Sequence, residues 1–243
     1  MNIPYQLYYW PVQGRGEFVR LALEAAAIDY VEVTRQPESA GGGVPAMMRL
    51  LKGEKISHPP FAPPILVAGE IVIAQTANIL AFLGARHGLA PPEEAGRIWT
   101  LQLQLTIADL VVEVHDTHHP VGASFYYEAQ KPESARRAAD FRDTRLPKFL
   151  RYFETVLTRN PEGQDHLVGS TLTYADLSLF HLIAGLRYAF PRLMERLGPE
   201  YRSVDRLART VGELPAVAVY LASPRRLPFD QVGIFRHYPE LDG

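Results

Sequence analysis

The sequence predicts a small mixed α/β domain followed by an all-helical one, on three observations. Short apolar runs bounded by turn residues alternate with helical stretches over the first 87 residues. From about residue 94 only the helical period remains. Between the two patterns lies Ala90-Pro91-Pro92, a natural linker. A chain of 243 residues has room for both domains. Its hydrophobic fraction of 47% beside a charged fraction of 21% excludes a disordered polymer.

The elements follow in order. Tyr5–Tyr9 is aromatic and apolar and runs into Trp10-Pro11, which reads as a short buried strand ended by a turn. Gly14-Arg15-Gly16 opens a helix through Ala27, with Phe18, Leu21, Ala22 and Ala25 on one face. Tyr30–Thr34 alternates as a second strand, and a loose Gly- and Pro-containing stretch leads to a helical piece over Ala46–Lys52. The proline-rich run Pro59–Pro64 is irregular. It feeds Ile65–Val67, a turn at Ala68-Gly69, and Ile71–Ala74, which together read as a hairpin. Thr76–Arg86 is a helix, giving β-α-β-α-β-β-α. Beyond the linker, helices are expected over Ile98–His118, Glu133–Leu157, Tyr174–Phe190, Tyr201–Val211 and Pro215–Ala222. Thr173-Tyr174-Ala175-Asp176 has the form of a capping box ahead of the third of these. From Pro224 onward few apolar positions recur, and the tail is expected on the surface.

Composition narrows the function. A net charge of −2 gives no electrostatic reason to expect nucleic acid. The longest apolar stretches, such as Leu177–Leu186, are too short to span a bilayer. No charged n-region opens the chain, whose first charged side chain is Arg15, so the expected location is cytoplasmic. There is no cysteine, which excludes disulfides, thiolate metal sites and a cysteine nucleophile. Any thiol chemistry must use a thiol from outside.

Several segments together resemble the cytosolic glutathione transferases. Tyr9-Trp10-Pro11-Val12-Gln13-Gly14-Arg15-Gly16 is similar to the strand-one signature of the tyrosine classes such as pi and sigma. Pro64-Ile65-Leu66, then Gly69-Glu70, then Ala74–Leu80 looks like the family's cis-proline hairpin with its Gln-Ser/Thr turn. Val168-Gly169 with Thr173–Asp176 resembles a late capping motif, and Arg145–Phe149 and Pro215–Val217 also fit. The resemblance implies a thioredoxin-like N-terminal domain with a mixed four-stranded sheet, residues 1–89, that binds glutathione. It also implies an all-α C-terminal domain, residues 90–243, that contributes a hydrophobic substrate pocket. A homodimer is implied, with glutathione as co-substrate and no metal.

The site residues follow by resemblance, each beside a plainer reading. Tyr9 occupies the catalytic position, where a phenol donates a hydrogen bond to sulfur; otherwise it is one more aromatic in a strand holding Tyr5 and Tyr8. Strand alternation turns Tyr8 to the opposite face. Gln75 and Thr76 precede a helix, whose free amides suit a carboxylate, and the family holds the γ-glutamyl end there. Thr76 serves equally as an ordinary N-cap. Pro64 is the cis position; the residue before it, Pro63, offers a carbonyl to the peptide but lacks an N–H. Arg15 either reaches the glycyl carboxylate or is a surface arginine. Arg49 falls near the family's tryptophan position and Lys55 near its lysine position, with Lys52 as a rival. Asp109 matches an acidic residue that crosses the dimer to the γ-glutamyl amine in relatives.

Trp10, Val12, His115 and His119 are expected to line the electrophile pocket. His115 and His119 share a helix face at a spacing that also suits a metal, but no third ligand is placed. A polar pocket edge or solvated histidines are the alternatives. The expected activity is attack of a Tyr9-activated thiol on small hydrophobic electrophiles. Peroxidase or isomerase chemistry at the same site, or a non-catalytic glutathione or ligand carrier, are the competing readings.

Overall fold

The computed structural model describes residues 4–53 and 56–243. Strands β1 (Tyr5–Tyr8), β2 (Tyr30–Glu32), β3 (Ile65–Ala68) and β4 (Ile71–Ala74) form one sheet in the order β2-β1-β3-β4. The β1–β2 pair is parallel and the other two are antiparallel, so the sheet is mixed. Helices α1 (Gly16–Ala25), α2 (Gly43–Lys52) and α3 (Thr76–His87) complete this part, which has the thioredoxin-like plan. Gly69, at φ 64°, supplies the left-handed turn between β3 and β4.

The rest is helical: α4 (Glu94–Asp116), α5 (Lys131–Asp140), α6 (Leu146–Arg159), α7 (Tyr174–Ala189), α8 (Pro191–Leu197), α9 (Arg202–Glu213), α10 (Pro215–Leu221) and α11 (Pro239–Asp242). The single helix expected over Glu133–Leu157 is two, joined by a π-helical turn at Phe141–Arg145. Pro147, which has no N–H to give, enters the helix at this point. Helix α7 is the hub, buried along most of its length and packed on α1, α4 and α9. Its capping box forms as read. Asp176 accepts from Thr173 N–H at 2.7 Å and from the Thr173 hydroxyl at 2.8 Å. The same carboxylate also takes Leu167 N–H at 2.7 Å, tying in the preceding loop.

The C-terminal tail is not a surface strap. Ile234, Phe235 and Leu241 are buried, and a Cβ at Gly185 of α7 would fall 2.4 Å from the Phe235 ring. Asp242 accepts the Arg192 and Leu193 N–H groups at 2.9 and 3.1 Å and so caps α8. Few apolar residues in the tail are enough, because each enters a gap that the helices leave open. Among the described residues, no helix is long and apolar enough to cross a membrane.

Candidate functional site

Strand register brings three distant positions to one end of the sheet. Tyr8 of β1 lies opposite Ile65 of β3, and Ile65 lies opposite Ala74 of β4. The next position outward on each chain is Tyr9, Pro64 and Gln75, so these three fall abreast. The Pro63–Pro64 bond is cis. Gln75 has φ 70°, a left-handed conformation rare for a side chain of its kind and found where the surroundings demand it.

Tyr9 is buried, and its ring is gripped by the turn into α1. A Cβ at Gly14 would come within 2.3 Å of the hydroxyl, and one at Gly16 within 2.5 Å of the ring. The tyrosine therefore needs both glycines of Gly14-Arg15-Gly16. Its hydroxyl oxygen accepts Arg15 N–H at 2.7 Å, and its carbonyl accepts the Thr34 hydroxyl. Burial raises the phenol pKa above its ordinary value, outweighing the Arg15 N–H and the positive charges of Arg15 and Arg20. The phenol is thus neutral at pH 7, and its own hydrogen is left for an acceptor outside the fold. Tyr8 turns elsewhere, donating to Gln6 at 2.9 Å and lining a separate cavity with Arg49 and Lys52.

Behind Tyr9 lies a buried ionic cluster. Arg20 donates to Glu17 at 3.1 Å, to Glu32 at 2.9 Å and to the Val12 carbonyl at 3.1 Å. Tyr220 of α10 donates to Glu17 at 2.9 Å, and Arg226 of the tail pairs with the same carboxylate. The loop between β1 and α1 is therefore clamped to the end of the helical part.

Beside this turn a cleft of about 400 Å³ is lined by Arg15, Gln75, Thr76, Asn78, Gln104 and Val111, among others. It lies between the sheet end and α4. Two buried polar atoms in it, Thr76 Oγ1 and Gln104 Oε1, have no partner among the described residues. Buried polar atoms are almost always paired, so these two are free to hydrogen-bond a polar group entering the cleft. Gln104 has only one signal in the sequence, an amide at helical spacing from Ile107, Ala108 and Val111 on an otherwise apolar face. A larger cavity, about 660 Å³ between α7, α8 and α9, takes no residue from the sheet end.

The structure places the other expected residues variously. Asp109 is exposed and outside the cleft of its own chain. Lys55 lies outside the described residues. Trp10 is 40% exposed and Val12 half-buried, on the turn that follows Tyr9. His115 and His119 stack with ring centroids 5.0 Å apart. His118 joins them, giving Nε2–H to the Ile234 carbonyl at 2.8 Å and meeting His119 through their Nδ1 atoms. Burial drives the His118 pKa down to about 3 and also lowers those of His115 and His119, so all three are neutral at pH 7. Among the described residues no group of three His, Asp or Glu is arranged to hold a metal ion. Glu113 turns away from the histidines to Arg145 and Arg137, at 2.6 and 3.1 Å.

Comparison with known proteins follows the same lines. Residues 115–224 match the family model described as glutathione S-transferase, C-terminal domain. Glutathione S-transferase P 1 of Xenopus laevis is 30% identical over 185 residues, which are 74% of this chain and 75% of the relative. Glutathione S-transferase P of Bos taurus is 28% identical over 228 residues, 92% of this chain and 94% of the relative. Among solved structures, a pi-class glutathione S-transferase of Onchocerca volvulus superposes with a TM-score of 0.71 at 18% identity. That superposition covers 94% of this chain and 98% of the other.

Proposed function

The chain belongs to the glutathione S-transferase family, and we propose that it activates the glutathione thiol through Tyr9 for attack on small hydrophobic electrophiles. The observation that carries this reading is the Tyr9 hydroxyl, which accepts Arg15 N–H and so keeps its own hydrogen for a sulfur acceptor. A free thiol with pKa ~8.5 is only a few per cent thiolate at neutral pH, and a neutral donor favours the anion. Residues 1–89 then form the glutathione-binding domain and 90–243 the domain that closes the second pocket. The γ-glutamyl carboxylate lies at the free amides of α3 with Gln75 and Thr76, and the peptide runs past the Pro63 carbonyl. Arg15 takes the other carboxylate, with Lys55 as a further cation. Trp10, Val12, His115 and His119 face the electrophile, no metal takes part, and the location is the cytoplasm.

A homodimer completes the site. Ile98, Leu105 and Val112 recur at seven-residue intervals along α4 and are 61%, 51% and 47% exposed. Asp109 lies on the same stripe, between Leu105 and Val112, and is exposed. That apolar stripe is the surface expected to be covered by a second copy, whose cleft Asp109 would then enter. Leu105→Glu is expected to weaken the dimer about a hundredfold in analytical ultracentrifugation, because it buries an unpaired carboxylate. Asp109→Ala is expected to leave the dimer intact and raise the glutathione dissociation constant about tenfold in calorimetry, the loss of one charged hydrogen bond. An unchanged constant would remove Asp109 from the site.

The direct test follows thiolate absorbance of bound glutathione against pH. A bound pKa well below ~8.5 supports thiol activation. Binding without a shift would instead make the protein a carrier.

A further inference from the structure

His119 opens on a second cavity of about 610 Å³, formed by the segment after α4 and the C-terminal tail. Its lining is aromatic, from Phe125, Tyr126, Tyr127 and Tyr238, with Tyr127 and Tyr238 stacked at 3.9 Å. Three of the lining residues hold apolar surface out to water: Tyr126 is 84% exposed, Val232 67% and Phe125 53%. Such a cluster is a ready seat for the flat apolar body of a ligand.

One charge is set into this aromatic wall. Arg236 donates Nε–H to the Gly233 carbonyl at 2.9 Å and Nη2–H to the Val232 carbonyl at 3.2 Å. Those two bonds fix the guanidinium, and Nη1 has no hydrogen-bond partner among the described residues. None of the ion pairs among the described residues includes Arg236 or Arg15. The one carboxylate in the lining, Glu128, is exposed, whereas Arg236 is half-buried. The neighbouring histidines are neutral and add no second positive charge. Val111 of α4 lines the Arg15 cleft, and one turn further along the helix His115 stacks on His119, which lines the Arg236 cavity, so the two cavities are neighbours along α4.

We infer that the second substrate of this enzyme is an aromatic electrophile carrying a carboxylate, held through Arg236 with its ring against Tyr127, Tyr238 and Phe125. This rests on the proposed thiol activation and adds the substrate class. A fixed, unpaired guanidinium selects a planar anion, and the aromatic lining selects the body attached to it.

The test uses two probes that differ only in charge, a chlorodinitrobenzoate and its uncharged amide. In each, the glutathione thiolate forms a sulfur–carbon bond at the ring carbon bearing chlorine, and chloride leaves with the bonding pair. The wild-type protein is expected to favour the benzoate about tenfold in kcat/KM, one charged hydrogen bond's worth. Arg236→Met should abolish that preference, bringing kcat/KM for the benzoate level with that for the amide. Arg236→Lys, which keeps the charge should the methionine variant disturb the tail, is expected to retain most of it. No preference in the wild type, or an undiminished preference in Arg236→Met, would overturn the inference. If neither probe is turned over, thiol activation fails by itself. Calorimetric binding of the benzoate against the amide to the glutathione-loaded protein then decides the anion site: tighter benzoate binding lost in Arg236→Met upholds it, and equal binding refutes it.

Discussion

Tyr9→Phe is expected to lower kcat/KM about a hundredfold while leaving the glutathione dissociation constant within about twofold. The phenol and the phenyl ring fill the same space between Gly14 and Gly16, so the turn into α1 keeps its shape. What disappears is one hydrogen bond to sulfur that exists only when the thiol is ionised. A hydrogen bond to a charged group contributes about 1.5–3 kcal/mol, which corresponds to a rise of about 1–2 in the pKa of the bound thiol. The sign follows from the proposal that the bound thiol has a pKa below its free value. Activity in the wild type is fully present above that pKa and falls as pH drops through it. In the variant the same limb moves to higher pH, so part of the lost rate returns in alkaline buffer. A variant whose thiolate titration overlays the wild type would exclude Tyr9 from the chemistry. The substitution also orphans Arg15 N–H, which water in the cleft can serve, so little loss of stability is expected.

Arg20→Met is expected to destabilise the protein by about 3–5 kcal/mol, read as a lower urea midpoint at unchanged slope. Arg20 is fully buried and lies between Glu17 and Glu32. Its removal leaves two carboxylates whose remaining cationic partners, Arg226 and Arg35, are both more exposed than Arg20, with Tyr220 as the one neutral donor to Glu17. The Val12 carbonyl loses its side-chain donor at the same time, and the Gln13 carbonyl keeps only the Glu17 N–H. Because these carbonyls belong to the loop just after Tyr9, activity should fall further than the loss of folded protein explains. Double replacement of Arg20 and Glu17 by apolar residues of similar size should recover part of the stability, as a paired burial is replaced rather than broken. A midpoint unchanged by Arg20→Met would show that water reaches the cluster.

The parts of the fold that were legible are those whose cause is local. The β-hairpin announced itself through two apolar runs around Ala68-Gly69, and α7 through Thr173 and Asp176, because turn and cap chemistry acts over three or four residues. The tail was misread for the complementary reason. Phe235 has no periodic neighbours in sequence, and its place is made by Gly185, fifty residues earlier and on another element. The π turn before Pro147 was likewise invisible, since the helical period continues through it with only a small slip.

The site divides along the same line. Local chemistry placed Tyr9 at a strand end, glycines beside it and Gln75-Thr76 at a helix start, since alternation, turn geometry and capping depend on adjacent residues alone. Only the folded chain set Tyr9, Pro64 and Gln75 abreast, through the register of three strands separated by long connections. Packing of α4 against α3 is what drew Gln104 into the cleft, and the return of the tail is what set Arg236 beside His119. Such partners meet because burying apolar surface brings distant segments together, and no spacing along the chain encodes which side chains then face one cavity.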